Sequence, residues 1–110
     1  MSITWEDFEK VDIRVGTIVE AHEFPKAKKP AYQLKIDFGS LGIKQSSAQI
    51  TTFYQRENLI GKQVIAVVNF PPKQIANFFS ECLVLGVYTD SKEVVLLHPE
   101  RSVENGWRIG

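Results

Sequence analysis

Pro71 and Pro72 stand between two strongly apolar runs of the chain and force the backbone out of any sheet those runs form. A proline has a fixed φ and no amide to donate, so two in succession cannot continue a central strand. On either side, Gln63 to Phe70 and Cys82 to Val87 are rich in Val, Ile and Leu and carry no charge, the pattern of strands buried on both faces. The segment between them carries Lys73, Gln74, Asn77, Ser80 and Glu81 out of the core, together with Ile75, Phe78 and Phe79. A loop held on a rigid scaffold is a common seat of binding residues, so this segment is the first place to look for function.

The remaining apolar runs are short and alternate with polar residues. Ile13 to Ala21 sets Ile13, Val15, Thr17, Val19 and Ala21 on one face, and Gly16 within it invites a bulge or bend. Tyr32 to Phe38 sets Tyr32, Leu34, Ile36 and Phe38 on one face. The link between these two strands, EFPKAKKPA, holds two prolines and three lysines and is a basic loop. Ile43 to Ile50 has strand length, but its Lys44, Gln45, Ser46, Ser47 and Gln49 must face solvent or line a site.

Helical signals are brief. Thr4 with Asp7 makes a weak capping box for a short N-terminal helix bearing Trp5 and Phe8, and Thr52 with Gln55 makes a better one for a short helical turn that Gly61 stops. A turn near Asp90 and Ser91 precedes a last apolar run, Val94 to Leu97, and a tail containing Trp107. Five or six short strands with small helices between them predict an all-β, OB-fold five-stranded barrel. It has short N-terminal and inter-strand helices and a C-terminal extension, in one domain spanning residues 1–110. An OB barrel binds ligands on one sheet face and its flanking first and fourth loops, the positions of Lys26 to Lys29 and of Lys73.

Cys82 is the only cysteine, which excludes an internal disulfide and fits a reducing compartment; a cytoplasmic location is expected. No run approaches the length of a membrane span, so no membrane insertion is expected. His22 and His98 have no second His or Cys at metal-ligand spacing, and no nucleophile elbow or phosphate-cradling glycine loop is present. The chain therefore reads as a binding protein without catalytic residues, metal or cofactor. Its net charge is zero, yet Phe24 to Ser80 holds eight basic and two acidic residues, 8 − 2 = +6, and the remainder 5 − 11 = −6. Gathered on one surface, the central cations would attract phosphate backbones or acidic polypeptide segments.

The segments DIRVGTIVEA, LKIDFG, SSAQIT, LIGKQVIAVVNFPPKQIA and SECLVLG resemble the tRNA-binding OB domain family, and SSAQIT, VNFPPKQIA and the ending NGWRIG resemble its CsaA-like branch of export-associated chaperones. The resemblance implies an OB-fold homodimer, with Trp5, Phe8 and Trp107 at the dimer interface. It implies a chaperone that binds unfolded or precursor polypeptides, with an export motor as a further partner. The alternative is structure-specific tRNA binding. The first loop lacks the Asn-Ala-Asp-Lys-Leu run of tRNA-binding relatives, and Asn77 stands where glycine is common, the non-glycine residue best suited to a left-handed backbone.

For polypeptides, Tyr32, Phe78 and Phe79 would offer apolar contact, rimmed by Ser47, Gln49, Ser80 and Glu81. For RNA, Lys26, Lys28, Lys29, Lys44, Arg56 and Lys73 would neutralise phosphates while an exposed aromatic stacks on a base.

Overall fold

The computed structural model describes every residue, Met1–Gly110. Its centre is a five-stranded antiparallel sheet that curls into a nearly closed barrel. The strands are β1 (Ile13–Glu23), β2 (Tyr32–Asp37), β3 (Ile43–Ala48), β4 (Gln63–Val67) and β7 (Leu83–Val84), in the order β3-β2-β1-β4-β7. Two hairpins flank it: β5 (Lys73–Ile75) with β6 (Phe78–Ser80), and β8 (Gly86–Tyr88) with β9 (Val94–Leu96). Helix α1 (Trp5–Glu9) precedes the barrel, and α2 (Arg56–Leu59) joins β3 to β4, the arrangement expected of an OB fold.

The alternation in β2 holds as read: Tyr32, Leu34, Ile36 and Phe38 are all buried. In β1 it does not. Gly16 and Ile18 face the barrel interior, where a Cβ on Gly16 would lie 2.6 Å from Ile36 and 2.7 Å from Phe38. The register against β2 then slips between Ile18 and Glu20, so the bulge falls at Val19, which is exposed, and not at Gly16. Before the bulge the inward face is thus one residue out of step with the expected one. The glycine is required because Phe38 fills its side-chain space.

The run from Cys82 to Val87 also departs from expectation. Cys82 is buried, but Leu83 and Val87 are exposed. The reason is topological: β7 is an edge strand with two residues paired to β4, and β8–β9 continues as a separate ribbon. Val84, Val94 and Leu96 pack on the core, and the other face of the ribbon, with the paired Val87 and Val95, is uncovered.

α1 is capped as predicted: Thr4 Oγ1 accepts from the Asp7 amide and Asp7 Oδ2 accepts from the Thr4 amide, each at 3.1 Å. α2 is not capped by Thr52; its N-cap is Gln55, which makes no side-chain capping bond. Because the helix starts four residues after Thr52, the hydroxyl stands too far back to meet its first amides.

The barrel is sealed between β3 and residues 79–82 by side chains as much as by backbone. The Glu81 amide donates to the Gln45 carbonyl and the Gln45 amide to the Glu81 carboxylate, at 2.8 and 2.9 Å. Gln45 Nε2 donates to the Phe79 carbonyl and the Ser47 amide to Ser80 Oγ. Ser46 is buried within this seam, its hydroxyl donating to the Cys82 carbonyl at 2.9 Å. The C-terminal extension pairs with the start of β1: Gly106 donates to the Val15 carbonyl, Val15 to that of Trp107 and Ile109 to that of Ile13. Gln63 and Thr17 tie it down through Asn105 and the backbone of Val103.

Candidate functional site

The outer face of β1, β2 and β3 is bounded by the first loop, residues 24–31, and by the β5–β6 hairpin. Phe24 is buried at the start of that loop, and its ring meets Phe78 of the hairpin with centroids 5.4 Å apart and planes 59° apart. A tilted aromatic pair of this kind contributes about 0.5–1.5 kcal/mol beyond the area it buries. The contact fastens the two basic loops to one another. Lys26, Lys28 and Lys29 are exposed on one and Lys73 on the other, and none has a carboxylate partner.

The hairpin also separates the two phenylalanines: Phe78 is half-buried against Phe24, whereas Phe79 is 52% exposed. Phe79, opposite Gln74 on the hairpin's other face, offers an exposed ring for stacking or apolar contact with a ligand. Its two-residue turn is held by Ala76 at φ +54°, not by Asn77 in a left-handed conformation. The first turn position carries the positive φ, and Gln74 Nε2 donating to the Ala76 carbonyl braces it.

The other sequence-predicted residues divide. Tyr32 is buried, its hydroxyl donating to the Tyr54 carbonyl at 2.8 Å, so it forms the floor of a depression lined also by Pro25 and Pro30. Ser80 and Glu81 have their hydrogen-bonding groups engaged in the seam, and the Ser47 amide with them, while Gln49 is exposed. Arg56 is ion-paired with Glu23 at 3.2 Å, which offsets its charge for a phosphate. Lys44 is half-buried and without a carboxylate partner.

Sequence reasoning missed three residues of this face. His22, Gln33 and Lys35 stand on adjacent strands, with His22 opposite Gln33 and Lys35 opposite Glu20. His22 Nε2 lies 2.9 Å and Lys35 Nζ 3.8 Å from the Glu20 carboxylate. The hydrogen bond from His22, with Lys35 behind it, holds that carboxyl below its ordinary range. Their polar positions in the β1 and β2 alternation were the signal that could have found them. Of the aromatics expected at an interface, Trp5 and Trp107 are 81% and 56% exposed and Phe8 is half-buried. The two chain ends are joined by Arg108 Nη2 donating to the Glu9 carbonyl.

A barrel with this loop geometry meets its relatives over nearly its whole length: the family described as "Putative tRNA binding domain" matches residues 13–108. The chain belongs to that family. Within it, the CsaA-like resemblance holds across the full fold. The chaperone CsaA of Bacillus anthracis superposes with a TM-score of 0.96 at 53% identity, covering 100% of both chains. The CsaA chaperone protein of Picrophilus torridus superposes at 0.93 and 57% identity, covering 99% of this chain and 100% of that one. Methionine–tRNA ligase of Nanoarchaeum equitans is 37% identical over 109 residues, 97% of this chain but 13% of the ligase. The chain thus spans a small fraction of the ligases it matches, and all of the chaperones.

Proposed function

We propose that this protein is a cytoplasmic homodimeric chaperone that captures exposed segments of unfolded or precursor polypeptides for export, acting by binding and not by catalysis. The observation that carries the reading is the Phe24–Phe78 contact, which sets the exposed Phe79 and four unpaired lysines on two loops that are fastened together. Capture of one apolar side chain against such a surface contributes about 1.5–3 kcal/mol, enough for weak, sequence-tolerant binding, while the cations favour acidic stretches. The likeness to CsaA chaperones over whole chains supports this reading. Dimerisation would cover Trp5, Phe8 and Trp107, double the number of loops and lengthen the polypeptide spanned; an export motor is the partner to which cargo would pass.

A second reading, binding of structured tRNA, is favoured by the same lysines, by the family's description and by the ligase relatives. Salt separates the two, because phosphate contacts release counterions and apolar capture does not. The test is a titration of the purified protein with total tRNA and with an unfolded precursor protein, each at low and physiological salt. Salt-tolerant polypeptide binding with weak tRNA affinity is the expected result. Tight tRNA binding that collapses with salt, with the polypeptide ignored, would replace the chaperone reading by the RNA one.

A further inference from the structure

A cleft of about 560 Å³, lined by no residue of the two basic loops, lies between the turn that leads from α2 into β4 and the segment that follows β9. Its volume is that of a small-molecule pocket. Val95 and Pro99 give it apolar lining, and Tyr54, Lys62 and Arg101 line it as well. Lys62 has no carboxylate partner. Glu100, also on the cleft, takes Arg101 Nε at 2.6 Å and leaves both terminal guanidinium nitrogens without a protein acceptor. Tyr54 is fixed twice: its carbonyl accepts from Tyr32 and its hydroxyl oxygen accepts from the Leu96 amide at 2.9 Å. The hydroxyl proton of Tyr54 has no acceptor in the protein. Lys62, Arg101 and Glu100 together leave one net positive charge beside Val95 and Pro99.

We propose that this cleft is a second ligand site, taking a small organic phosphate of nucleotide size whose phosphate group lies between Lys62 and Arg101. The two terminal nitrogens of Arg101 match two phosphate oxygens, and Lys62 adds a point charge. Tyr54 donates its free proton, and the wall of Val95 and Pro99 meets the organic part. A carboxylate would satisfy the fork of Arg101 but would leave Lys62 or Tyr54 without an acceptor. The site shares no cation with the first loop or the hairpin, so it stands or falls apart from the chaperone reading.

The test is an NMR titration of the isotopically labelled full chain with AMP, with adenosine, and with 5′-phosphorylated and 5′-hydroxyl RNA tetranucleotides. AMP is expected to move the amide signals of Lys62, Leu96 and Ser102, and adenosine is not. The Lys62→Ala, Arg101→Ala double variant is expected to bind AMP about tenfold or more weakly. Both side chains are exposed, so an unchanged melting temperature will show that the variant is folded. Lys26→Glu should leave the AMP response as it is. A response to AMP assigns the phosphate to a free nucleotide, and a response to the 5′-phosphorylated tetranucleotide alone assigns it to a nucleic-acid end. Silence of these amides toward every phosphorylated probe at millimolar concentration, or equal binding of adenosine and AMP, would overturn the proposal.

Discussion

Gln45 and Glu81 clasp each other across the seam of the barrel, each amide donating to the other residue, one to a carbonyl and one to a carboxylate. Removing the carboxylate in Glu81→Ala leaves the Gln45 amide without its partner. The expected cost is about 1–2 kcal/mol, since the bond lies near solvent. Glu81→Gln, which keeps an acceptor oxygen, should cost less. Urea unfolding of both variants measures the difference, and equal stabilities would remove the clasp from the account of closure.

Gly16→Ala should destabilise the barrel by about 1–3 kcal/mol, because the added carbon meets Ile36 and Phe38 at distances no relaxed side chain tolerates. The same substitution at Gly42 meets nothing within 4 Å, so any cost there comes from its φ of +86° alone. Thermal melts of the pair separate crowding from backbone strain.

Lys26→Glu with Lys28→Glu should abolish tRNA binding at low salt while the dimer persists. Phe79→Ala should weaken polypeptide capture by about tenfold or more, the loss expected for one apolar contact, with a smaller change in salt dependence. Unchanged tRNA affinity in the charge-reversed protein would remove the first loop as an RNA contact.

Trp5→Ala should shift sedimentation toward monomer. A dimer that survives would move the interface to the other uncovered apolar face, where Leu83, Val87 and Val95 are exposed. Val87→Glu would then be the variant that dissociates it.

Burial pushes the Cys82 thiol up from its ordinary 9.0 to about 11, against a lowering by its hydrogen bond with Ser46. The folded chain thus keeps a proton that the unfolded chain releases. Its contribution to stability is complete below about pH 9 and is lost as pH rises toward 11, by roughly 2–3 kcal/mol in all. Denaturant midpoints between pH 8 and 11 should fall more steeply for the natural chain than for Cys82→Ala. Parallel curves would show that the thiolate is tolerated where it lies.

The strands of the barrel were legible because β2 alternates cleanly and Pro71–Pro72 forbids continuation. The inward face of β1 was not, since a bulge at Val19 is set by what β2 places opposite it and leaves no local mark in the chain. IKQSSAQI was read as facing solvent or a ligand. Gln49 does face solvent, but Gln45, Ser46 and Ser47 seal the barrel, a partnership between residues more than thirty positions apart. The basic loops were visible from composition, but that Phe24 joins them, that Tyr32 sinks beneath them and that Arg56 is engaged by Glu23 are facts of packing.

The stitching of Ile109 to Ile13 and of Arg108 to Glu9 brings both ends of the chain to the start of β1, whereas the lysine loop lies at the finish of that same strand. A larger polypeptide could therefore be spliced to either terminus and still leave the lysine loop facing outward. The barrel is built like a plug-in module, its connector at one pole and its lysine loop at the other.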